Sequence, residues 1–333
     1  MARSTRLARS GVLMPTIFFF VGFSVAWIVI GYFTPGPNPS TALRITGKYK
    51  LVSPLLLCST TPSSNVSPYK DLQSQINGII TVAKNAGDAT DVSVYFADFS
   101  GHWVSVNETE SYAPASLLKV PIMIAYFKEN EADPGTLSRL LTYDGTSDAN
   151  VSEEIKSNNY LKPGTYTVQQ LINAMIVDSD NNAADLLFAN VDKTFITEVF
   201  TDLGLTVLPG GDANADNMTA KQYSYFFRIL YNSTYLTPED SEKALELLTQ
   251  ADFPQGIPAT VPAGSQVAQK FGERSVFDNN NQLIERELHD CGIVYLPGKP
   301  YILCIMTRGS DFGQLTTLID QIGTTVYKKV NGS

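Results

Sequence analysis

The hydrophobic and polar positions change pattern along the chain, and each pattern predicts a different kind of element. Residues 91–99 and 102–107 predict two strands, and Ser100-Gly101 between them is a typical hairpin turn. Helical segments fill the middle of the chain, and strand-like runs return after about residue 262. This order predicts an α+β fold: an antiparallel sheet built from the first and last thirds, with a helical lobe inserted between them.

Several predicted helices carry recognisable end signals. Ser67-Pro68 predicts a helix that runs to about Asn85, because serine caps helices and proline suits the first helical position. Thr167 and Gln170 have the spacing of a capping box. Further helices are predicted over 192–204, 219–231, 237–250 and 312–330, and further strands over 265–273, 285–297 and 300–309.

These elements divide the chain into five predicted parts. They are a basic cytoplasmic stub (1–10), a transmembrane helix (11–33), a linker (34–66), a sheet lobe (67–112 with 262–333) and an all-helical lobe (113–261). The N- and C-terminal helices of the globular part are expected to flank the sheet. A catalytic cleft would lie between the two lobes.

The transmembrane prediction depends on the uncharged run of residues 11–33, which is long enough to span a bilayer. Arg3, Arg6 and Arg9 precede it, which predicts a cytoplasmic N-terminus and a globular part outside the membrane. A cleaved signal peptide is the alternative, but the apolar run is longer than a usual signal-peptide core. We therefore expect a single-pass anchor with a periplasmic or extracellular domain.

Charge and composition exclude several functions. The 333 residues carry a net charge of −9, which argues against nucleic acid as a partner because nucleic-acid-binding proteins present basic surfaces. The two histidines, His102 and His289, cannot form a histidine-rich metal site and are interpreted as ordinary surface or strand residues. The sequence has no phosphate loop, dinucleotide fingerprint or metal-ligand spacing, so no cofactor is expected.

The three cysteines do not form a disulfide framework. Cys291 and Cys304 flank a Pro-Gly turn and would face each other across a hairpin, where a disulfide is one alternative. Two buried free thiols are the favoured interpretation. Cys58 lies too far from the N-terminus to be a lipid-attachment cysteine.

One lysine stands out chemically. Residues 113–127 are almost all apolar, which predicts a buried helix, yet Lys119 lies in their middle. Ser116, three residues earlier, shares its helix face, near a helix start that favours developing negative charge. Burial lowers the pKa of a lysine, so this pair predicts a base beside a nucleophile. The alternative is that Lys119 extends to the surface, since S-x-x-K is common by chance.

Two further motifs add to this pair. Ser179-Asp180-Asn181 lies between two helical segments, where its residues could also serve as helix caps. Lys270-Phe271-Gly272 lies in a strand, where the alternative is an exposed lysine followed by a glycine bulge.

In this order, the three motifs resemble those of the penicillin-recognising serine hydrolases, S-x-x-K, S-D-N and K-T-G in class A β-lactamases and penicillin-binding proteins. The resemblance extends over residues 161–187 and 291–310 and covers about Asp71 to Val330. It implies the family fold, a sheet with inserted helices. It also implies an activity, acylation of a serine by a β-lactam or by a peptidoglycan peptide ending in D-alanine.

The resemblance implies a role for each motif residue. Ser116 would be the acylated nucleophile, Lys119 would activate it, and Ser179 would relay a proton to the leaving nitrogen. Asn181 would hold Lys119 and the amide side of the substrate, and Lys270 would supply positive potential for the substrate carboxylate.

The resemblance also implies an oxyanion hole. The backbone N–H groups of Ser116 and Glu273 would form it, a large electrostatic contribution in such enzymes. Gly272 would have to be small so that the strand can approach the ligand.

The chain departs from the family pattern at two places. Phe271 replaces the K-T-G threonine, and losing one hydrogen bond to a charged group costs about 1.5–3 kcal/mol. The candidates to compensate are Arg274, Ser275 and Arg308.

The second departure concerns residues 203–220, which should contain the family's water-activating glutamate but have only Asp212 and Asp216 as carboxylates. Asp212 follows a Gly-Gly turn and Asp216 could cap the next helix, so both have structural alternatives to a catalytic role. Without that base, acylation could proceed while deacylation stalls.

The prediction from sequence is thus a membrane-anchored, extracytoplasmic serine hydrolase of class A β-lactamase type in a bacterial cell membrane. It would be acylated by β-lactams or D-Ala-terminated peptides and would release the product by hydrolysis. The alternatives are a D,D-peptidase or transpeptidase of peptidoglycan, or a non-hydrolytic penicillin-binding or sensor module. The expected partners are the small-molecule or peptide substrate and, through residues 11–33, the membrane. A monomer is expected.

Overall fold

The computed structural model describes residues 49–53, 68–205 and 217–332. The helices are α1 (Leu72–Ala86), α2 (Lys119–Ala132), α3 (Val168–Val177), α4 (Asn181–Asn190), α5 (Lys193–Asp202), α6 (Ala220–Asn232), α7 (Pro238–Leu248) and α8 (Phe312–Asn331). The strands are β1 (Asp91–Asp98), β2 (Trp103–Val106), β3 (Ser111–Tyr112), β4 (Leu140–Tyr143), β5 (Gly164–Thr167), β6 (Met218–Thr219), β7 (Gln266–Phe277), β8 (Leu283–Tyr295) and β9 (Tyr301–Gly309). Short 3₁₀ turns cover Ala115–Leu118, Thr136–Ser138 and Ile257–Thr260.

The predicted transmembrane helix, residues 11–33, lies outside the described residues. Among the residues that the structure does describe, no helix is both long and apolar enough to cross a membrane.

The main sheet has five antiparallel strands in the order β2-β1-β9-β8-β7. Strand β1 pairs with β9 along its whole length, from Asp91 opposite Arg308 to Asp98 opposite Tyr301. The prediction that the first and last thirds share one sheet is therefore confirmed. Because the order leaves β7 at an edge, one side of this strand is free to line a cleft.

Two layers of helices cover the sheet. Helices α1 and α8 pack together on one face, in a core that includes Leu72, Ile319 and Phe96. Helix α6 packs against β1, β8 and β9 on the opposite face and joins them to the helical lobe. The predicted arrangement, a sheet between its terminal helices and an inserted lobe, is confirmed.

The inserted lobe is not entirely helical. Two short antiparallel ladders, β4 with β5 and β3 with β6, lie within it or at its border. Helix α2 runs through its centre and is buried on every side, as the apolar run predicts. The prediction of an all-helical lobe thus missed two ladders, whose strands are only two to four residues long.

Most of the sequence signals for helix ends lie close to the observed helix boundaries. Thr167 and Gln170 form the predicted capping box, with Thr167 Oγ1 accepting from Gln170 N at 3.1 Å. The start of α1 was predicted wrongly, because Pro68 begins a turn and the helix itself starts at Leu72. A cap signal close to the real start therefore misplaced this boundary by about one helical turn.

Cys291 and Cys304 form a disulfide between β8 and β9. The expectation of two free thiols is wrong. The register explains the pairing, since Cys291 lies directly opposite Cys304 in the ladder and the two side chains point to the same face.

A short segment within the predicted linker packs against the helical lobe. The backbone N–H groups of Lys50 and Val52 donate to the two carboxylate oxygens of Glu242 on α7, at 2.6 and 2.9 Å. Leu51 is 2% exposed and belongs to the core of the lobe. Residues 49–53 therefore behave as part of the folded domain.

Candidate active site

Ser116 lies in the 3₁₀ turn Ala115–Leu118, which leads directly into α2. The turn is anchored from both sides: Leu117 N donates to Pro114 O at 3.0 Å, and the Tyr223 hydroxyl donates to Leu117 O at 2.8 Å. Ala115 has a φ of +50°, a conformation that is costly for a residue with a side chain. The fold thus holds Ser116, which is partly exposed, on a strained turn.

Lys119 is the first residue of α2 and is 4% exposed. Its amine donates to the carbonyl oxygen of Ser179, to Ser179 Oγ at 3.1 Å and to Asn181 Oδ1 at 2.7 Å. Burial lowers the pKa of Lys119 to about 8, and the nearby Glu153 carboxylate partly opposes this shift. No hydrogen bond joins Lys119 to Ser116 among the described contacts, so the amine is held by the S-D-N motif rather than by the nucleophile.

The S-D-N motif is a tight turn between α3 and α4. Ser179 has a φ of +54°, which turns both its carbonyl and its hydroxyl toward Lys119. Asp180 caps α4, its Oδ1 accepting from Ala183 N at 3.0 Å. The capping alternative therefore holds for Asp180, while its two neighbours are free to serve the site.

Asn150 supports this turn from the loop that follows β4. Its Oδ1 accepts from Asn181 N at 2.7 Å, and its Nδ2 donates to Asp180 Oδ1 at 3.3 Å. The side chain is 1% exposed. Asn150 was not predicted, because nothing in its local sequence distinguishes it from an ordinary loop asparagine.

Lys270 reaches the same hydroxyl from β7. Its amine donates to Ser179 Oγ at 2.8 Å and to the carbonyl oxygen of Phe271 at 3.2 Å, and the residue is fully buried. Burial and the neighbouring Lys119 charge both lower the pKa of Lys270. Two desolvated amines thus flank the Ser179 hydroxyl, and their mutual repulsion disfavours the state in which both are charged.

The edge of β7 lies directly against the turn that carries Ser116. A Cβ atom on Gly272 would come 2.8 Å from Pro114 O and 3.2 Å from Leu117 N. Only glycine permits this approach. It brings the backbone around Glu273 close to the turn that carries Ser116, as an oxyanion hole would require.

The Glu273 side chain holds a neighbouring loop in place. Its Oε1 accepts from the backbone N–H groups of Glu154 and Ile155, at 2.8 and 2.9 Å, which ties β7 to the loop between β4 and β5. Burial raises the pKa of Glu273. The carboxylate therefore fixes this loop against β7.

The Phe271 side chain is buried in the core. Its ring is 4% exposed and stacks on Phe253, with ring centroids 4.3 Å apart. The Lys270 amine lies 4.3 Å from the centre of the Phe271 ring, within the range of a cation–π contact. The hydroxyl that threonine supplies in the family pattern is absent, and the ring contributes to the environment of Lys270 instead.

The three residues considered as replacements for that hydroxyl differ in how firmly other side chains hold them. Ser275 Oγ donates to Glu154 at 3.0 Å, and Arg308 donates to Glu110 and Glu287 at 2.6 and 2.8 Å. Among the described residues, Arg274 has a loose ion pair with Glu287 at 3.7 Å. It lines a cavity of about 220 Å³ beside Ala113 and Arg308, and the motif residues are not part of that lining. Arg274 shares the strand face of Lys270 and Gly272, because alternate residues of a strand point the same way.

The histidines take no part in this arrangement. His102 Nδ1 lies 2.9 Å from Asp98 Oδ2 at the hairpin. His289 is buried with Nε2 3.1 Å from Ala113 O, and burial lowers its pKa to about 4. His289 is therefore neutral and has a structural role, as the sequence analysis expected. Asp212 and Asp216, the carboxylates considered for water activation, lie outside the described residues.

The fold and this site, a serine on a strained turn with two buried amines around a second hydroxyl, define a serine hydrolase that works through an acyl-enzyme. A model of the beta-lactamase enzyme family matches residues 71–330, and the chain belongs to that family.

Solved structures of the same fold include two kinds of protein. PBP-A is 21% identical, with 79% of this chain and 97% of that chain covered and a TM-score of 0.65. A class A beta-lactamase from Mycobacterium abscessus is 21% identical, with coverages of 79% and 100% and a TM-score of 0.63. The TLA-1 extended-spectrum beta-lactamase is 17% identical, with coverages of 79% and 99% and a TM-score of 0.66. A search of curated protein sequences finds no significant match.

Proposed function

We propose that this protein is an extracytoplasmic serine hydrolase whose Ser116 is acylated by β-lactams or by peptides ending in D-alanine. The observation that carries the proposal is the position of the Ser179 hydroxyl, 3.1 Å from the Lys119 amine and 2.8 Å from the Lys270 amine. A hydroxyl held between two desolvated amines can take a proton from one side and pass it on, as cleavage of an amide requires.

The acylation step follows from these contacts. Ser116 Oγ attacks the carbonyl carbon of the substrate while the neutral Lys119 amine takes the hydroxyl proton. The negative charge on the carbonyl oxygen is stabilised by the N–H groups of Ser116 and Glu273. The carbon–nitrogen bond then breaks, and the proton moves from Lys119 through Ser179 to the leaving nitrogen.

Two cations are available for the substrate carboxylate. Lys270 supplies positive potential beside Ser179, and Arg274 lies two residues beyond Gly272 on the same strand face. Because Arg274 is only loosely paired with Glu287, it can turn to a ligand at small cost. We assign Arg274 the place of the hydroxyl that Phe271 lacks.

The nature of the ligand is supported by the comparisons. A variant of PBP-A was solved as an acyl-enzyme complex with penicillin G, and it covers 79% of this chain at 21% identity. The matched family is named for β-lactam hydrolysis. β-Lactams are therefore the first ligands to test.

We propose that the acyl-enzyme is released by hydrolysis. Two departures from the family pattern bear on how fast this release is and how well the substrate binds. Residues 203–220 contain no glutamate, and Phe271 lacks the family hydroxyl. The missing glutamate would prolong the acyl-enzyme, which favours a D,D-peptidase, transpeptidase or penicillin-binding sensor over a β-lactamase. The missing hydroxyl would weaken the hold on the substrate carboxylate.

The location outside the cytoplasm remains a proposal based on sequence and redox chemistry. The uncharged run of residues 11–33 and the arginines before it support a membrane anchor with the domain outside. The Cys291–Cys304 disulfide is consistent with an oxidising compartment.

Parallel turnover assays test the reaction. The full-length protein in detergent is given a chromogenic cephalosporin in one assay and a D-Ala-D-Ala peptide in the other, with Ser116→Ala as control. Hydrolysis of the cephalosporin that depends on Ser116 supports a β-lactamase. Turnover of the peptide alone would show a D,D-peptidase, and cephalosporin turnover that persists in Ser116→Ala would overturn the proposed nucleophile.

A further inference from the structure

A chain of hydrogen bonds leads from the loop between β4 and β5 to the catalytic lysine. The Tyr160 hydroxyl donates to Glu153 Oε2, and Glu153 Oε1 accepts from Asn181 Nδ2 at 2.8 Å. The other end of the same amide, Asn181 Oδ1, accepts from Lys119 Nζ at 2.7 Å. Glu153 is partly buried and lies outside the three sequence motifs, so none of them assigns it a role.

The chain fixes the orientation of the Asn181 amide. An ionised carboxylate only accepts hydrogen bonds and an ammonium only donates them. Glu153 therefore takes the Nδ2 end, together with the carbonyl oxygen of Ala149 at 3.3 Å, and Lys119 takes the Oδ1 end. A flipped amide would set oxygen against carboxylate and NH₂ against ammonium, which disfavours the flip at both ends.

Glu153 is also the carboxylate that most strongly raises the pKa of Lys119 against the effect of burial. The other charged groups that face Lys119 are Asp180, Asp185, Glu273 and Lys270. Asp180 is used as a helix cap, and Glu273 accepts two backbone N–H groups. Asp185 is exposed to solvent, which screens its charge.

We propose that Glu153 is a positioning residue for acylation, which holds the Asn181 amide toward Lys119 and whose negative charge sets how readily Lys119 accepts a proton. The proposal rests on the proposed acylation of Ser116. It assigns the loop between β4 and β5 a direct influence on the catalytic base, through one intervening side chain.

The test is the pH dependence of acylation in a charge-neutral variant. The full-length protein is mixed with a fluorescent penicillin between pH 5 and 9, and the second-order rate of adduct formation is measured. Glu153→Gln keeps an acceptor for Asn181 and removes the charge. The pKa of Lys119 should then fall. The acidic limb, which is the part of the pH profile where the rate drops as the pH is lowered, should therefore move to lower pH by about one unit.

The matched control is the neighbouring residue. The Glu154 side chain pairs with Arg286 at 2.8 Å on the surface, and no contact joins it to Asn181 or Lys119 among the described residues. Glu154→Gln should leave the limb where it is. Tyr160→Phe removes a donor that favours the charged form of Glu153, and it should move the limb in the same direction as Glu153→Gln but by less.

The outcomes separate this proposal from the one on which it rests. If the wild type forms the adduct and the Glu153→Gln profile coincides with it, or moves to higher pH, Glu153 does not tune Lys119 and the inference is wrong. If the wild type forms no adduct at any pH, the acylation proposal fails and the inference falls with it. Thermal melting of each variant verifies that it is folded. If Glu153→Gln does not fold, the pH profile of Tyr160→Phe decides whether the inference holds.

Discussion

The centre of the site and its rim are built in different ways. At the centre, Lys119, Ser179 and Lys270 are each less than 5% exposed, and each polar group among them meets a partner within the protein. At the rim, Arg274 is loosely paired and Phe271 has turned into the core. Under the proposed function, the centre would carry out the reaction and the rim would determine which substrate binds.

The largest expected effect comes from the centre. Lys119→Met removes the base but keeps the apolar stem, and it should lower the acylation rate by about 10²–10⁴-fold. Stopped-flow measurement with a fluorescent penicillin gives the rate. Lys128→Met on the same helix is the control, since the described contacts of Lys128 are with Glu131 and Tyr235 near the surface. A loss of less than tenfold in Lys119→Met would remove Lys119 as the base.

The pH dependence of the wild type is the next largest effect. Lys119 can accept a proton only when neutral, and its pKa is lowered to about 8 by burial. Below that pH the ammonium form dominates, so the acylation rate should fall about tenfold for each pH unit below 8 and level off above it. A flat profile from pH 6 to 9 would contradict a lysine base with this pKa.

The junction between centre and rim is tested at Gly272. Gly272→Ala places a methyl group 2.8 Å from Pro114 O, which should cost about 1–3 kcal/mol of unfolding free energy and displace the turn that carries Ser116. Urea unfolding and the acylation rate report the two effects. Gly78→Ala in α1 is the control, because nothing lies within 4 Å of the added methyl group. That change should be neutral or stabilising by about 0.5–1 kcal/mol.

The smallest expected effect lies at the rim. Arg274→Ala should weaken the binding of a penicillin by about 5–10-fold, since a partly exposed charged hydrogen bond contributes little more than about 1.5 kcal/mol. The matched control is Arg286→Ala, because Arg286 is already held by Glu154 and by the carbonyl of Ser310. The concentration dependence of acylation separates binding from rate. Equal effects in both variants would show that Arg274 has no special place near the ligand.

What the sequence could predict depends on the range of each interaction. Thr167 and Gln170 are three residues apart, so their capping box is visible in a local pattern. The partners of Lys119 lie about 60 residues away, and the resemblance supplied them where the local pattern could not. Glu153 was missed because its partner Asn181 lies 28 residues ahead and no motif contains it.

Contacts with distant parts of the chain are the other quantity that the sequence did not provide. Strand alternation places Phe271 on the face opposite Lys270, but no sequence pattern identifies Phe253 as its stacking partner. The hairpin predicted that Cys291 and Cys304 face each other, and the exact register that pairs them came only from the structure. Both outcomes required the folded chain.

The most direct test of the central claim, that Ser116 is acylated, is intact mass against time. The full-length wild type and Ser116→Ala are each mixed with benzylpenicillin and sampled from seconds to hours. We predict that the wild type gains the mass of the intact drug and that the Ser116→Ala variant gains none. An adduct of the same mass on Ser116→Ala, or none on the folded wild type, would contradict the account.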